Sequence, residues 1–203
     1  MSIFTTMFSL KFAFSHFLHQ HKAINRHGLH SPFVYRLVDE VIYDFSEKKV
    51  YADIEKKLST GKKLDGTDKL LHRLIADAKA QNVWVLGKYQ AVKQLVIDGS
   101  ATALSLKNIN KPEDWKDSTA PDVIYLDAKL NPQSAMDYFN KVIPRMQADT
   151  LLVVDNIHHN PLTKTTWGIM TSHVKVTASV NLFWLGLVYC RPGQVKEDFF
   201  IKF

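Results

Sequence analysis

Hydrophobic residues are spaced in two different ways along this 203-residue chain. Up to about residue 80 they recur at helical intervals. From residue 82 they gather into short continuous runs separated by helical stretches. In the first part, Ser31-Pro32 is a helix start, with Ser as N-cap and Pro at the first helical position. Phe33, Val34, Leu37, Val38, Val41, Ile42 and Phe45 then follow one face of a helix. A short helix is predicted over residues 51–58. Gly61 and Gly66 bracket a polar break, and Asp65 or Thr67 caps the next helix, whose inward face is Leu70, Leu71, Leu74, Ile75 and Ala78.

The second part reads differently. Val83-Trp-Val-Leu-Gly87 is a strand ending in a tight turn, residues 91–97 a short helix, and residues 102–109 a strand. Asp122-Val-Ile-Tyr-Leu-Asp127 and Leu151-Leu-Val-Val-Asp155-Asn156 are apolar runs that end in carboxylates, as buried parallel strands do. Asn131-Pro132 starts a helix running to about Arg145, with Pro144 ending or kinking it. Asn160-Pro161 starts another, and β-rich runs follow at residues 174–181, 183–191 and 199–203. Strands alternating with helices predict an α/β fold with a mostly parallel, Rossmann-like sheet and an antiparallel C-terminal edge. The expected organisation is a helical segment, 1–80, packed on a sheet domain, 81–203, within one structural domain.

Composition narrows the function classes. A formal charge of +6 and a pI near 9.3 arise partly from the doublets Lys48-Lys49, Lys56-Lys57 and Lys62-Lys63. No aromatic-basic interleaving or nucleic-acid motif accompanies them, so a solvated helical face is the favoured reading over nucleic acid. A single cysteine, Cys190, lies in an apolar run; it forms no internal disulfide and fits a reducing, cytoplasmic setting. No run is long enough to span a bilayer. Residues 3–18 are rich in Phe, Leu, Ile and Met and suit docking on the domain itself or on a second subunit as a homodimer.

In an open α/β sheet, ligands sit outside the carboxyl ends of the strands. If the two Asp-terminated strands are neighbours, Asp127, Asp155 and Asn156 converge there, and three oxygens suit a hard divalent cation such as Mg²⁺. The same side chains also serve as caps of the turns that follow. His158 is a candidate general base close by, as is His159; for each, a loop or helix-leading polar role is the favoured reading. His27 and His30 are spaced like metal ligands, but Gly28 between them argues for a turn. Lys88, at a helix start, suits an anion or a plain surface position.

With those residues in view, the chain resembles the class I, Rossmann-like S-adenosylmethionine-dependent methyltransferases over residues 82–203. It is most similar to the metal-dependent O-methyltransferases of the catechol type. There an Asp ends the fourth strand and an Asp-Asn pair the fifth, matching Asp127 and Asp155-Asn156. The opening Arg26-His-Gly-Leu-His-Ser-Pro-Phe33 is similar to one heading a group of bacterial methyltransferase-like proteins. The resemblance implies S-adenosylmethionine over Gly87, Lys88, Tyr89 and Asp127. It also implies a cation on Asp127, Asp155 and Asn156, and catalysis at Asp127, Asp155 and His158 on a small hydroxyl-bearing substrate.

The cofactor turn departs from the family. Val85 stands where an acid ends the first strand, only Gly87 remains of the Gly-rich turn, and no carboxylate follows in Leu104-Ser-Leu-Lys107. The span from Gly87 to Asp122 holds one strand–helix unit where the family has two. Two functions are therefore expected. One is a methyltransferase. The other is a non-catalytic scaffold whose cofactor pocket is filled by Lys88, Tyr89 and Gln90, with a protein partner on the N-terminal helices.

Overall fold

The computed structural model describes residues 3–25, 28–58, 61, 63–100, 104–116 and 121–203, with side chains from Phe12 onward. Arg26 and His27 of the opening motif, Lys62 of the third lysine doublet and residues 102–103 of the second predicted strand lie outside the described residues.

The first part is helical. α1 covers Ile3–Lys22. Ser31 caps α2 (Pro32–Arg36), its side chain accepting the Val34 N–H at 3.4 Å. This helix widens at once into a π-helical stretch, Leu37–Ile42. Arg73 closes the stretch by donating to the Val41 and Ile42 carbonyls at 2.7 and 3.1 Å, which satisfies acceptors that a helix end leaves open. Leu37, Val38, Val41 and Ile42 are buried, but the chain leaves the helix at Tyr43, so Phe45 falls outside the inward face and is 70% exposed.

α3 (Lys49–Lys57) carries lysines on its outer side, with Lys56 beside Asp53. α4 (Gly66–Asp77) opens with a reciprocal capping box in which Asp65 accepts the Asp68 N–H and Asp68 accepts the Asp65 N–H. Of its predicted inward residues, Leu70, Leu71, Leu74 and Ile75 are buried; Ala78 is the exposed C-cap.

Each apolar run in the second part contains a strand, though the run at residues 174–181 pairs only from Ala178 on and leaves Val174 exposed in a turn. The elements are β1 (Asn82–Leu86), α5 (Ala91–Asp98), β2 (Ser105–Ile109), β3 (Val123–Asp127), α6 (Ala135–Val142), β4 (Leu151–Asp155), α7 (Pro161–Ser172), β5 (Ala178–Asn181), β6 (Leu185–Tyr189) and β7 (Glu197–Phe200). They make one seven-stranded sheet in the order β2-β1-β3-β4-β6-β5-β7. All pairs are parallel except those of β6, which runs antiparallel to β4 and β5 on the C-terminal side. Among the described residues α5, β2 and a 3₁₀ turn at Pro112–Asp114 lie between β1 and β3, so one strand–helix unit stands there and β2 is the edge.

Every residue of β3 and β4 is buried, because helices cover both faces of the sheet. Val83, Val85, Val123, Tyr125 and Val153 meet α2 to α5 on one side. Trp84, Leu86, Ile124, Leu126 and Val154 meet α6 and α7 on the other. α1 lies across the β5–β6 turn, with the Phe12 ring 5.3 Å from the rings of both Phe183 and Trp184. No helix among the described residues is long and apolar enough to cross a membrane.

The chain passes from β1 to β2 on one side, while β3 pairs on the other. The strand order thus reverses at β1, where the carboxyl ends open a crevice.

Candidate functional site

The register of β3 and β4 sets Asp127 directly beside Asp155. Alternation along a strand puts Asp127 and Tyr125 on one face. Asp155 is 4% exposed. Its Oδ2 accepts the Tyr125 hydroxyl at 2.6 Å and its Oδ1 accepts the Asn156 backbone N–H at 2.8 Å. The Lys93 ammonium of α5 stands 3.3 Å from Asp155 Oδ2 and 2.8 Å from Asp68 Oδ1, with all three side chains at most 6% exposed. Thr67 Oγ1 accepts from the same ammonium at 3.4 Å. Burial alone would drive the Lys93 pKa down. The charges of Asp155 and Asp68 outweigh burial, and it lies above the usual lysine value, so the group is a cation at any physiological pH. Burial, and then the Asp155 charge, push the Tyr125 phenol well up, and it remains a donor.

Asp127 is fully buried. Its Oδ1 accepts the Lys129 and Leu130 N–H groups at 2.9 and 3.2 Å and the Asn156 side-chain amide at 3.1 Å. Its Oδ2 has no partner. Burial first, and the Asp155 charge second, raise its pKa above the ordinary aspartate value. Asn156 reaches Asp127 from a left-handed backbone position, φ 62°, which Asn tolerates better than most residues.

The three oxygen ligands expected for a divalent cation are thus brought together but do not fit one. A buried ammonium already stands against Asp155, and Asn156 must turn its N–H, not its carbonyl, toward the Asp127 carboxylate. Among the described residues no group of three or more His, Cys, Asp or Glu side chains is placed to hold a metal ion.

The turn after β1 is built around Gly87, at φ 70°. A Cβ there would stand 2.2 Å from Asn131 Oδ1, so only glycine allows the approach. The Asn131 side chain accepts the Lys88 N–H at 2.9 Å and donates to the Lys88 and Asp127 carbonyls at 2.8 and 3.0 Å. Asn131 had been expected to start a helix. Its side chain is spent on the neighbouring turn instead, and α6 begins four residues later, at Ala135. Asn131 therefore joins Lys88 and Gln90 at the openings beside this turn, and Tyr89 does not. Tyr89 packs with the first core and donates its hydroxyl to Gln94 at 2.5 Å; it lines neither of the two openings beside the turn.

Those openings lie on either side of Gly87. A crevice of about 320 Å³ at the ends of β1, β2 and β3 is lined by Lys88, Asn110, Glu113, Asn131, Pro132 and Tyr138. Residues 104–107 hold no carboxylate, but one stands further on at the crevice. β2 runs to Ile109, and Glu113 stands in the 3₁₀ turn Pro112–Asp114 just beyond it. The second opening, a cleft of about 550 Å³, is lined by Phe45, Asp65, Gln90, Lys93, Asp155 and Trp184, with Asn156 beside them.

His158 lines neither. Its ring stacks on Phe183 with centroids 4.8 Å apart and planes 4° apart, and Asn181 Nδ2 lies 3.1 Å from its Nε2. Burial, helped by His19 and Lys164, drives its pKa down to about 4, so it is neutral at pH 7. It faces α1 and α7, which removes it from the strand-end chemistry expected of it. Lys93, Tyr125, Asn131 and Glu113 were the residues that motif reading passed over. Lys93 left a signal: it lies three and four residues before Val96 and Ile97, and so on the buried stripe of α5.

No protein-family model matches the sequence, and no curated protein matches it. Solved structures share its fold. A candidate caffeoyl-CoA O-methyltransferase from Staphylococcus aureus is 12% identical and covers 89% of this chain and 99% of its own, with a TM-score of 0.52. The S-adenosylhomocysteine-bound methyltransferase PaMTH1 from Podospora anserina is 8% identical and covers 70% of this chain and 86% of its own, with a TM-score of 0.51. This chain has the Rossmann-like methyltransferase fold.

Proposed function

We propose that the chain binds S-adenosylmethionine across the carboxyl ends of β1, β2 and β3 and methylates a small hydroxyl-bearing molecule held in the cleft beside Asp155. The observation that carries this reading is the pair of openings that flank the turn after β1, with Lys88 lining one and Gln90 the other. Glu113 is the carboxylate suited to the ribose hydroxyls, and Leu130 and Pro132 offer the apolar wall an adenine needs. When bound, the cofactor supplies an electrophilic methyl group on a sulfonium. The chain's own residues position the acceptor. Asp155 accepts a hydrogen bond from the substrate hydroxyl, Lys93 and Tyr125 hold that carboxylate still, and Phe45 and Trp184 shield the cleft from water. No step in this reading runs through a metal ion.

Isothermal titration of S-adenosylmethionine and S-adenosylhomocysteine into the chain tests the reading. Micromolar binding that falls at least about tenfold in Glu113→Ala, or about 1.4 kcal/mol, is the expected result. Absence of heat at millimolar ligand would sink it.

A second reading, a non-catalytic binding or scaffold protein, is favoured by one observation. Asn131 occupies both backbone groups of Lys88 that a ligand at this turn would use. The helix face of Phe14, Phe17 and Leu18, each more than half exposed, is its partner surface. It predicts that removing residues 1–22 changes the oligomeric state seen by light scattering.

A further inference from the structure

We infer that Lys93 is a built-in cation: its ammonium takes the place of a divalent ion at the strand-end carboxylates and excludes one from them. The inference stands apart from methyl transfer and is read on the ligand-free chain, so its failure and that of the proposed activity are separate results.

The argument is one of position and charge. Asp155 is the only one of the two paired strand-end carboxylates that lines the larger cleft, and so the one a cation would reach from solvent. One of its oxygens already faces both the Tyr125 hydroxyl and the Lys93 ammonium, at 2.6 and 3.3 Å. Lys93 does not swing free. Asp68 Oδ1 holds it at 2.8 Å from the first turn of α4, and Thr67 Oγ1 at 3.4 Å. Asp68 is held in turn by the capping box, its other oxygen accepting the Asp65 N–H at 3.2 Å. The ammonium is therefore fixed by a helix start on one side and a strand end on the other. A divalent ion on Asp155 would stand within a few ångströms of a positive charge in a site with little water to screen it, where like charges repel most strongly. Asn156 adds to the exclusion. Its amide N–H is committed to Asp127, so the third ligand presents a donor.

Lys93 itself thus decides whether this constellation is a metal site. Removing its charge should uncover one, with Asp155 and Asp68, the two carboxylates that now hold the ammonium, as protein oxygen donors and water completing the shell. The experiment is Mn²⁺ binding followed by electron paramagnetic resonance and calorimetry on five chains: wild type, Asp155→Asn, Lys93→Met, Asp68→Asn/Lys93→Met, and Lys93→Met/Asp155→Asn. Wild type is expected to show no binding up to about 1 mM, the weak end of oxygen-ligand sites. Lys93→Met is expected to bind at least about tenfold more tightly, and the added Asp155→Asn to abolish the gain.

The Asp68→Asn/Lys93→Met chain guards against misfolding, because it removes one carboxylate along with the ammonium and keeps the capping oxygen. A variant that is unfolded alone but folds when Mn²⁺ is added gives the same positive answer. Two results overturn the inference. One is wild-type Mn²⁺ binding tighter than about 1 mM that Asp155→Asn, made alone in the wild-type chain, removes. The other is silence toward Mn²⁺ in both Lys93→Met and Asp68→Asn/Lys93→Met, whether they are folded alone or stay unfolded with the ion present.

Discussion

Asp127 and Asp155 end adjacent strands in the same register, follow equivalent apolar runs and are both buried, yet the protein balances them by different means. Asp155 is neutralised by a full charge brought from a helix on the sheet's face, with a phenol alongside. Asp127 has only N–H dipoles from its own turn and from Asn156, and one of its oxygens is left without a partner. The difference teaches that a strand-end carboxylate in sequence does not state its own role. A tertiary contact decides whether it is a compensated ion or a strained one.

The sharpest break of this comparison is Lys93→Met. It leaves Asp68 and Asp155 buried without their counter-ion, and removal of one partner of a buried pair costs about 3–5 kcal/mol. Urea unfolding at pH 7 should register a loss of that size. A loss below about 1 kcal/mol would mean the ammonium is a surface-like pair and does not hold Asp155.

Gly87→Ala probes the Asp127 side through Asn131, which bonds both Lys88 and the Asp127 carbonyl. A Cβ at 2.2 Å from Asn131 Oδ1, on a backbone at φ 70°, should destabilise the fold by about 3 kcal/mol. In Gly87→Ala/Asn131→Ala the clash is gone and the combined loss should fall well short of the sum of the two single losses. Strict additivity in thermal or urea melts would show that the two residues do not meet.

Tyr125→Phe returns to Asp155 with a gentler change. The ring remains in the core and only the 2.6 Å hydrogen bond to a charged oxygen is lost, for about 2 kcal/mol. Performed in the Lys93→Met background, the same change should cost more, because Tyr125 is then the chief remaining donor at Asp155 Oδ2. An equal cost in both backgrounds would separate the two contacts.

The strands were legible because burial on both faces demands uninterrupted apolar runs. β3 and β4 match residues 123–127 and 151–155, with Asp127 and Asp155 at their ends as read. Helix starts at Ser31, Asp65 and Asn160 were equally legible, since capping is chemistry within four residues. What failed was non-local. Asn131 reads as a helix start by the same local rule, but its side chain is taken by Lys88, 43 positions earlier. Phe45 continues an apolar period that the π-helical turn interrupts, and it ends as a cleft wall. Lys93 reads as one lysine among many until α4 is packed against α5. His158 follows Asp155 by three residues, yet ends against Phe183 on the side of α1.

Asp127→Asn should have the smallest effect and the most specific one, a change in pH dependence. An aspartate whose folded pKa is raised above its unfolded value binds its proton more tightly in the folded chain. Its contribution to stability is full below the unfolded pKa and is lost as pH rises through the folded one. An amide at this position never ionises, so the variant escapes that loss. Its stability relative to wild type should rise as pH increases through and above the ordinary aspartate range, and level off once Asp127 is ionised in the folded wild type. His158 acts in the opposite sense over part of the same range. Its folded pKa of about 4 lies below the ordinary 6.5, so it withdraws stability as pH falls beneath 6.5. Wild type and Asp127→Asn share that histidine, and subtracting their urea-derived stabilities at each pH cancels it. Parallel curves would mean that Asp127 carries no excess proton affinity in the folded chain, and that its N–H donors balance it as fully as Lys93 balances Asp155.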